Sequence, residues 1–347
     1  MSVILPVFNS RDTLDDCLRA ILSQSGVSLE VIAVDDGSTD DSPALLEAVA
    51  AQDIRLHVLH QANAGVWQAR LTGVAASRGS YVICCDADDL PRPGMYASMV
   101  KRANETCADV VVSAYRRMDA VDGRELATEM VARPQGTLAP SDDPRGFACV
   151  NTALWNKLFN GDVLRQVVTN LMGADDGGRS LRLPTRPRVM EDALLLACGL
   201  PYLRHVEFVT QPLYDYRVRP GASMATLRLD ELDGLADDMR AVRAWLPGGL
   251  HPVCDVMAFV HLGVSALSNL AVTQPGQLRE YEATLRTTMR RDFPLYWRRG
   301  RDTQAGPTRL ARLRLAVALL LFRCHLLGWG WRWFAVLSRV LRRQGRW

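Results

Sequence analysis

Lysine is almost missing from this chain. Its 347 residues include Lys101 and Lys157 alone, against 39 arginines. That bias is compatible with a GC-rich coding sequence and by itself names no function. No Cys-x-x-Cys pair occurs among Cys17, Cys84, Cys85, Cys107, Cys149, Cys198, Cys254 and Cys324. Most of these lie in apolar company, so buried reduced thiols and a cytosolic body are expected. Long apolar runs are lacking too. A membrane span needs ~20 mostly apolar residues. The best run near the C-terminus, Leu315 to Phe322, stops at Arg323. Residues 256–278 carry no formal charge, but His261, Ser265, Ser268, Asn269, Thr273 and Gln274 make them read as a buried helix. A strand pattern starts right after Met1, so no signal peptide is expected. No phosphate-binding P-loop is present, which disfavours a kinase or ATPase. Gly (25) and Pro (17) are ordinary in number, which excludes collagen-like and low-complexity chains.

What is present is a sizeable apolar fraction, 48%, and an uneven charge. Residues 286–347 hold fifteen Arg and two Asp, a net +13; the remainder holds 26 basic against 36 acidic residues, a net −10. A general nucleic-acid binder would not confine its basic excess to one end, so an acidic body with a basic tail is the reading. The length suits two structural units or one large α/β unit.

The first hundred residues alternate strands and helices. Val3–Val7, Val31–Val34, Leu56–Leu59 and Tyr81–Cys85 have strand composition. Helices are predicted over about 12–23, 44–51 and 66–77. This order predicts a mostly parallel sheet covered on both faces. Further on, Val110–Val112 is a predicted strand, 119–136 a hairpin turning at Asp122-Gly123, and 173–188 a loop. Residues 190–198 form a predicted helix and 212–218 a last strand. Beyond Gly221 the pattern is helical, with breaks near Pro247 and Pro275. A soft boundary falls near residue 225, giving units of 1–225 (halves 1–100 and 101–225) and 226–347.

In an open α/β sheet, ligands bind outside the carboxyl ends of the strands. Three such ends carry unusual residues here: Pro6-Val7-Phe8-Asn9, Asp35-Asp36-Gly37-Ser38-Thr39-Asp40, and Asp86-Ala87-Asp88-Asp89. Carboxylates gathered on one edge repel each other. A divalent metal relieves that cost, and Asp-x-Asp suits hard ions such as Mg²⁺ or Mn²⁺. An isolated Asp-x-Asp is most often a solvated turn; its place after Val82-Ile83-Cys84-Cys85 favours function.

Together with Asn63-Ala64-Gly65, Ala69-Arg70 and Arg78-Gly79-Ser80-Tyr81, these segments resemble the family 2 glycosyltransferases of GT-A fold. Trp155-Asn156-Lys157-Leu158-Phe159, Glu191-Asp192 and Tyr216-Arg217-Val218-Arg219-Pro220-Gly221-Ala222-Ser223 resemble later landmarks of the bacterial members. The resemblance covers about residues 1–225. It implies a Rossmann-like nucleotide-sugar-binding fold with a C-terminal helical region. It implies that Pro6, Val7, Phe8 and Asp36 hold the nucleotide base, with Arg70 near the base or diphosphate. Asp86 and Ala87 should line the donor site, Asp88 should bind Mn²⁺ or Mg²⁺, and Asp192 should be the general base. Lys157, Arg217 and Arg219 are possible phosphate or acceptor contacts. Each also has a bland alternative: a helix cap for Asp36, a surface role for Arg70, a solvated pair for Asp192, a carboxylate partner for Lys157. Many relatives carry Tyr where Phe8 stands and Asn where Leu71 stands. The Gln-x-x-Arg-Trp signature of processive synthases is absent, which implies transfer of one sugar at a time.

The expected activity is inverting transfer from a nucleotide sugar, a UDP-sugar being favoured, to a hydroxyl of a glycan or lipid-linked acceptor. Transfer to a polyprenyl phosphate and a catalytically silent binding module stay open as alternatives. Residues 309–347 mix Arg with Leu, Trp and Phe, which suits a helix in the membrane interface. Peripheral contact at the inner face of the cell membrane is therefore expected, and no nucleic-acid partner.

Overall fold

A computed structural model describes residues 1–130, 132–133, 137–173, 180–185, 187, 189–219, 228–298, 306–327 and 330–331. The first half alternates β1 (Ser2–Val7), α1 (Arg11–Leu22), β2 (Glu30–Asp35), α2 (Ser42–Ala50), β3 (Leu56–His60), α3 (Val66–Ala76) and β4 (Tyr81–Cys84). β5 (Leu90–Pro91), α4 (Met95–Thr106), β6 (Val110–Asp119), β7 (Glu125–Glu129), β8 (Ala132–Arg133) and α5 (Pro144–Ala148) follow. Then come β9 (Lys157–Asn160), α6 (Gly161–Met172), α7 (Glu191–Gly199) and β10 (Val206–Val218). The sheet runs in the order β3-β2-β1-β4-β9-β6-β10-β5, with β7 on the side of β6. β3, β2, β1 and β4 are parallel; β9 is inserted antiparallel between β4 and β6.

Strands this apolar must be covered on both faces. Ile4, Ile32, Val34, Val82 and Cys84 pack into one core, with Val74 of α3 and Val167 of α6. Their neighbours Val3, Leu5, Val7, Val31 and Ile83 pack into the other, with Leu18 of α1 and Met99 of α4. α3 lies so close to β1 that a Cβ on Gly73 would come within 2.4 Å of Ile4 Cγ2. The mostly parallel α/β reading of the first hundred residues holds, with element ends within about two residues.

The second half departs more. α4, α6 and β9 were not predicted. β9 is a short antiparallel insertion that begins with a polar residue, so it offers no period. β10 is longer than predicted because its register shifts on both sides of Pro212; that proline masks the residues before it. The hairpin of β6 and β7 turns where expected, but residues 131 and 134–136 lie outside the described residues. So do 174–179 of the predicted loop, the boundary near 225, and 332–347 of the tail.

The chain continues through α8 (Leu229–Trp245), α9 (His251–Ala258), a π-helical stretch (Phe259–Ser265), α10 (Ala266–Thr273), α11 (Leu278–Asp292), β11 (Gly306–Pro307) and α12 (Arg309–Arg323). β11 pairs with β8. Leu235, Met239, Phe259, Leu285 and Phe322 join the same core as Ile4 and Val34. Among the described residues, Gly248–Thr273 is the one helix long and apolar enough to cross a membrane, and 67% of its apolar window is buried against the protein. All eight cysteines are free; Cys17, Cys84, Cys85, Cys198 and Cys254 are buried as expected of most of them, Cys149 is partly buried, and Cys107 and Cys324 are exposed.

Candidate functional site

Because β1, β2 and β4 are parallel, their carboxyl ends open on one edge. Pro6 and Val7 are buried in β1, and Phe8 emerges half-exposed at its end. Asp36, buried just past β2, accepts from Gln61 Nε2 (2.7 Å), Ala64 N (2.9 Å) and Gly65 N (2.8 Å). The turn there requires glycine: Gly37 has φ +73°, and a Cβ would lie 2.8 Å from Asn63 N. Asp35 accepts from Ser38 N and pairs with His60 Nδ1, both at 3.0 Å. Asn9 Oδ1 accepts from Thr39 N (2.8 Å), tying the loop after β1 to the loop after β2.

The turn after β4 places its carboxylates differently. Asp89 is fully buried; it accepts from Tyr214 Oη (3.1 Å) and Arg217 N (2.7 Å), which fastens β10 to the turn. The Asp88 side chain is 43% exposed, and its nearest cation among the described residues is Arg219 Nη2 at 4.0 Å. Burial and the neighbouring Asp86 raise the Asp88 pKa above the usual carboxylate value, and Arg219 opposes them. Ala87 is buried between them. Arg217 Nη2 lies 3.6 Å from Asp16 on α1.

Asp86 reaches the other side of the site through Arg70. This guanidinium is only 4% exposed. Its Nη2 donates to Asp86 Oδ1 (2.8 Å), and its Nη1 to Asp192 Oδ1 (2.5 Å) and Glu191 Oε1 (3.1 Å). Burial opposes the charge on Arg70, but Asp192, Asp86 and Glu191 more than offset it. Met190, at φ +53°, starts α7, so Glu191 and Asp192 occupy its first turn. Burial pushes the Asp192 carboxyl up to about 7; Glu191 and Asp86 act in the same direction, and Arg70 and Lys157 oppose.

Lys157 is buried. Its Nζ donates to Asn151 Oδ1 (3.0 Å), Ala153 O (2.7 Å) and Asn156 Oδ1 (2.9 Å). Burial lowers its pKa to about 7. Beside it, Trp155 stacks on Tyr214 (4.5 Å) and Tyr216 (5.4 Å), which fixes this segment against β10.

Arg70, Asp86 and Asp192 thus meet directly, Asp88 and Arg219 adjoin them, and Asp36 with Pro6–Phe8 lies on the same sheet edge. Lys157 faces the interior, with its three donors committed. Two residues had been given no role by the sequence: Glu191, which shares Arg70, and Asp89, which anchors β10. Both stand beside acids that were singled out, and that adjacency was the signal. A partly buried carboxylate with a raised pKa, held by a fixed cation beside a further exposed carboxylate, is equipped to move a proton and to neutralise an anionic ligand through a cation.

The sequence model described as glycosyl transferase family 2 matches residues 2–168. ExoO of Rhizobium meliloti, a succinoglycan biosynthesis protein, is 30% identical over 257 residues, which is 72% of this chain and 70% of ExoO. The chain belongs to the family 2 glycosyltransferases. The glycosyltransferase GlyG of Streptococcus pneumoniae is 38% identical over 124 residues, and there the chain spans 35% of itself and 41% of GlyG. Among solved structures, Staphylococcus aureus TarS 1–349 in complex with UDP-GlcNAc aligns with a TM-score of 0.64 at 17% identity, over 99% of this chain and 93% of that one. The mannosyltransferase PcManGT of Pyrobaculum calidifontis, solved with GDP-Man and Mn²⁺, aligns with a TM-score of 0.53 at 16% identity, over 99% and 87%. The fold of this family 2 chain is accordingly GT-A-like, with a helical C-terminal region.

Proposed function

We propose that this chain transfers a single sugar, with inversion, from a nucleotide-sugar donor to a hydroxyl of a glycan or lipid-linked acceptor. The products would serve surface polysaccharide, lipopolysaccharide or glycolipid synthesis. One observation carries the reading: Arg70 joins the turn Asp86-Ala87-Asp88 to Asp192 in one hydrogen-bonded unit. Donor-side and acceptor-side carboxylates are thereby held in a fixed relation.

Inversion by one displacement needs a base on the acceptor side. Asp192, with its pKa pushed up to about 7, is ionised in about half of the molecules at neutral pH, and that carboxylate is basic enough to take the hydroxyl proton as the bond to the sugar forms. Arg70 keeps its carboxylate in place. On the donor side, a carboxylate has about four acceptor positions. Asp36 uses two on Oδ1 and one on Oδ2, which leaves one for a base N–H. Phe8 would lie against the base, with Pro6 and Val7 supplying the strand end. Arg217 and Arg219 would contact phosphate oxygens, for which guanidinium forks are suited. Lys157 would shape the Asn151–Asn156 segment, since its donors are already used.

Asp88 fits a divalent ion: its oxygens are hard, partly exposed, and closest to a cation only at 4.0 Å. Among the described residues no three His, Cys, Asp or Glu side chains form a cage. The ion would therefore share Asp88 with donor oxygens. When bound, Mn²⁺ or Mg²⁺ neutralises charge on the leaving diphosphate.

A UDP-sugar is the favoured donor, supported by the fold neighbour solved with UDP-GlcNAc. The catalytic unit is 1–225 and the helical region 226–347. The protein would work in the cytoplasm at the inner face of the cell membrane, with contact through 309–347. The test is calorimetric titration of a panel of UDP-, GDP-, CMP- and dTDP-sugars, with and without Mn²⁺. Binding of one donor that strengthens with Mn²⁺ and weakens in Asp88→Ala is the expected result. A folded protein that binds none of them ends the proposal.

A further inference from the structure

α12 has two apolar faces. Leu315, Ala318, Leu319 and Phe322 are buried in the main core. At about 100° per residue, Leu310, Leu313, Val317 and Leu320 fall on the roughly opposite side. They are 44–61% exposed. Cys324 extends the same row and is also exposed. A helix lying on a protein surface normally turns a polar face outward. Here the row is bordered by exposed arginines instead, Arg309 and Arg323 on one side and Arg314 on the other. α12 is firmly seated from within: Arg312 Nη1 pairs with Asp143 Oδ2 (2.5 Å), and the Phe322 carbonyl accepts from Arg286. The leucine row is therefore presented to the outside by a fixed scaffold.

At the C-terminal end of that row lies a cavity of about 400 Å³ lined by Arg286, Arg290, Tyr296, Trp297, Phe322 and Arg323. Arg286 is already engaged by Glu282 and the Phe322 carbonyl. Arg290 and Arg323 are exposed and have no carboxylate partner among the described residues. Arg323 sits over the Trp297 ring at 5.8 Å from its centroid, and Trp297 is half-exposed. A single acid, Asp302, occurs anywhere from Phe293 to the C-terminus. An apolar row, flanking arginines, and a half-exposed tryptophan with a cationic hollow beside it match the layered chemistry of a bilayer surface.

We propose that the outer face of α12 and the Arg290–Trp297–Arg323 cavity form one docking site for an anionic phospholipid membrane. Leu310, Leu313, Val317 and Leu320 enter the acyl boundary, and the cavity takes a lipid phosphate. This rests on the placement at the membrane given above and names the surface and the lipid class. It does not depend on the chemistry of the sheet edge.

The experiment is flotation of the full chain with vesicles of phosphatidylcholine alone and of phosphatidylcholine mixed with phosphatidylglycerol. The variants are Leu313→Gln with Leu320→Gln, and Arg290→Ala with Arg323→Ala. Donor titration and size-exclusion light scattering are run on each, so that folding, donor binding and oligomeric state are read independently. Wild type should bind the anionic vesicles at least about tenfold better than the neutral ones. The leucine pair should lose binding to the anionic vesicles, and the arginine pair should lose the preference between the two. All should bind donor as wild type does. Wild type that floats with neither vesicle, or a leucine pair that floats unchanged, overturns the proposal. So does a wild-type dimer that the leucine pair dissolves, because the row would then be an interface between copies. Failure of donor binding in wild type would strike the proposed activity and leave this result standing.

Discussion

Two places in this molecule break the usual division between apolar interior and charged surface, and they do so in opposite ways. At the carboxyl edge of the sheet, acids are drawn inward: Asp36 and Asp89 are buried, and Asp86, Glu191 and Asp192 surround a guanidinium that is itself 4% exposed. On α12, apolar side chains are pushed outward between arginines. The first arrangement costs desolvation and is tolerable because each charge has directed partners. The second leaves apolar area in water. Both are local departures from the rule that apolar groups go in and charges stay out. In each case the surrounding scaffold is well packed, so the departure is built into the fold.

The largest effect should come from taking the proposed proton acceptor away. Asp192→Asn keeps the size and the contact with Arg70 but removes the base. Turnover should fall roughly 10²–10⁴-fold, with donor affinity little changed, as read by steady-state kinetics and titration. Arg70→Ala attacks the same unit structurally. It leaves three carboxylates without their cation, and denaturant unfolding should show a loss of about 3–5 kcal/mol. Arg70→Lys should recover only part of this, because one ammonium does not serve Asp86 and Asp192 in the planar fork geometry.

On α12 the comparison can be sharpened between neighbours. Leu319→Ala opens a cavity in the core and should cost about 2–5 kcal/mol. Leu320→Ala, one residue on and facing outward, should change stability by less than about 0.5 kcal/mol. Equal costs would mean that the outer row is packed after all.

The pH dependence is a subtler probe of the acid edge. Asp192 must be ionised to accept a proton, and its pKa is pushed up to about 7. Turnover should therefore be level above that pH and fall about tenfold per unit below it. A limb near 4 instead would mean that Arg70 outweighs burial at this carboxylate.

Much of the acid edge was legible from residues alone. Val3–Val7, Val31–Val34 and Tyr81–Cys85 announce buried parallel strands, and the acids that follow them mark one edge. What the sequence could not show was contact across distance. Arg70 and Asp192 are 122 residues apart, and only the packing of α3 beside β1 and of α7 across the site brings them together. The commitment of Lys157 to Asn151, Ala153 and Asn156 was hidden because two of those acceptors are neutral side chains and one is a backbone carbonyl. β9 is too short for strand periodicity to declare it, and the part of β10 before Pro212 was hidden by the register shifts around that proline, while 212–218 was legible. On α12 the outer row is readable in the spacing of Leu310, Leu313, Val317 and Leu320. Without the fold, however, nothing decides which of the two apolar faces is the buried one.

The central claim is that the edge formed by Asp88, Asp86, Arg70 and Asp192 acts on a nucleotide sugar. It is tested most directly by nucleoside diphosphate release from the donor that binds, measured without acceptor in the presence of Mn²⁺. Slow, metal-dependent release by wild type that disappears in Asp88→Ala is the predicted result. Release that persists unchanged in Asp88→Ala, or a folded protein that binds and cleaves none of the nucleotide sugars, would contradict it.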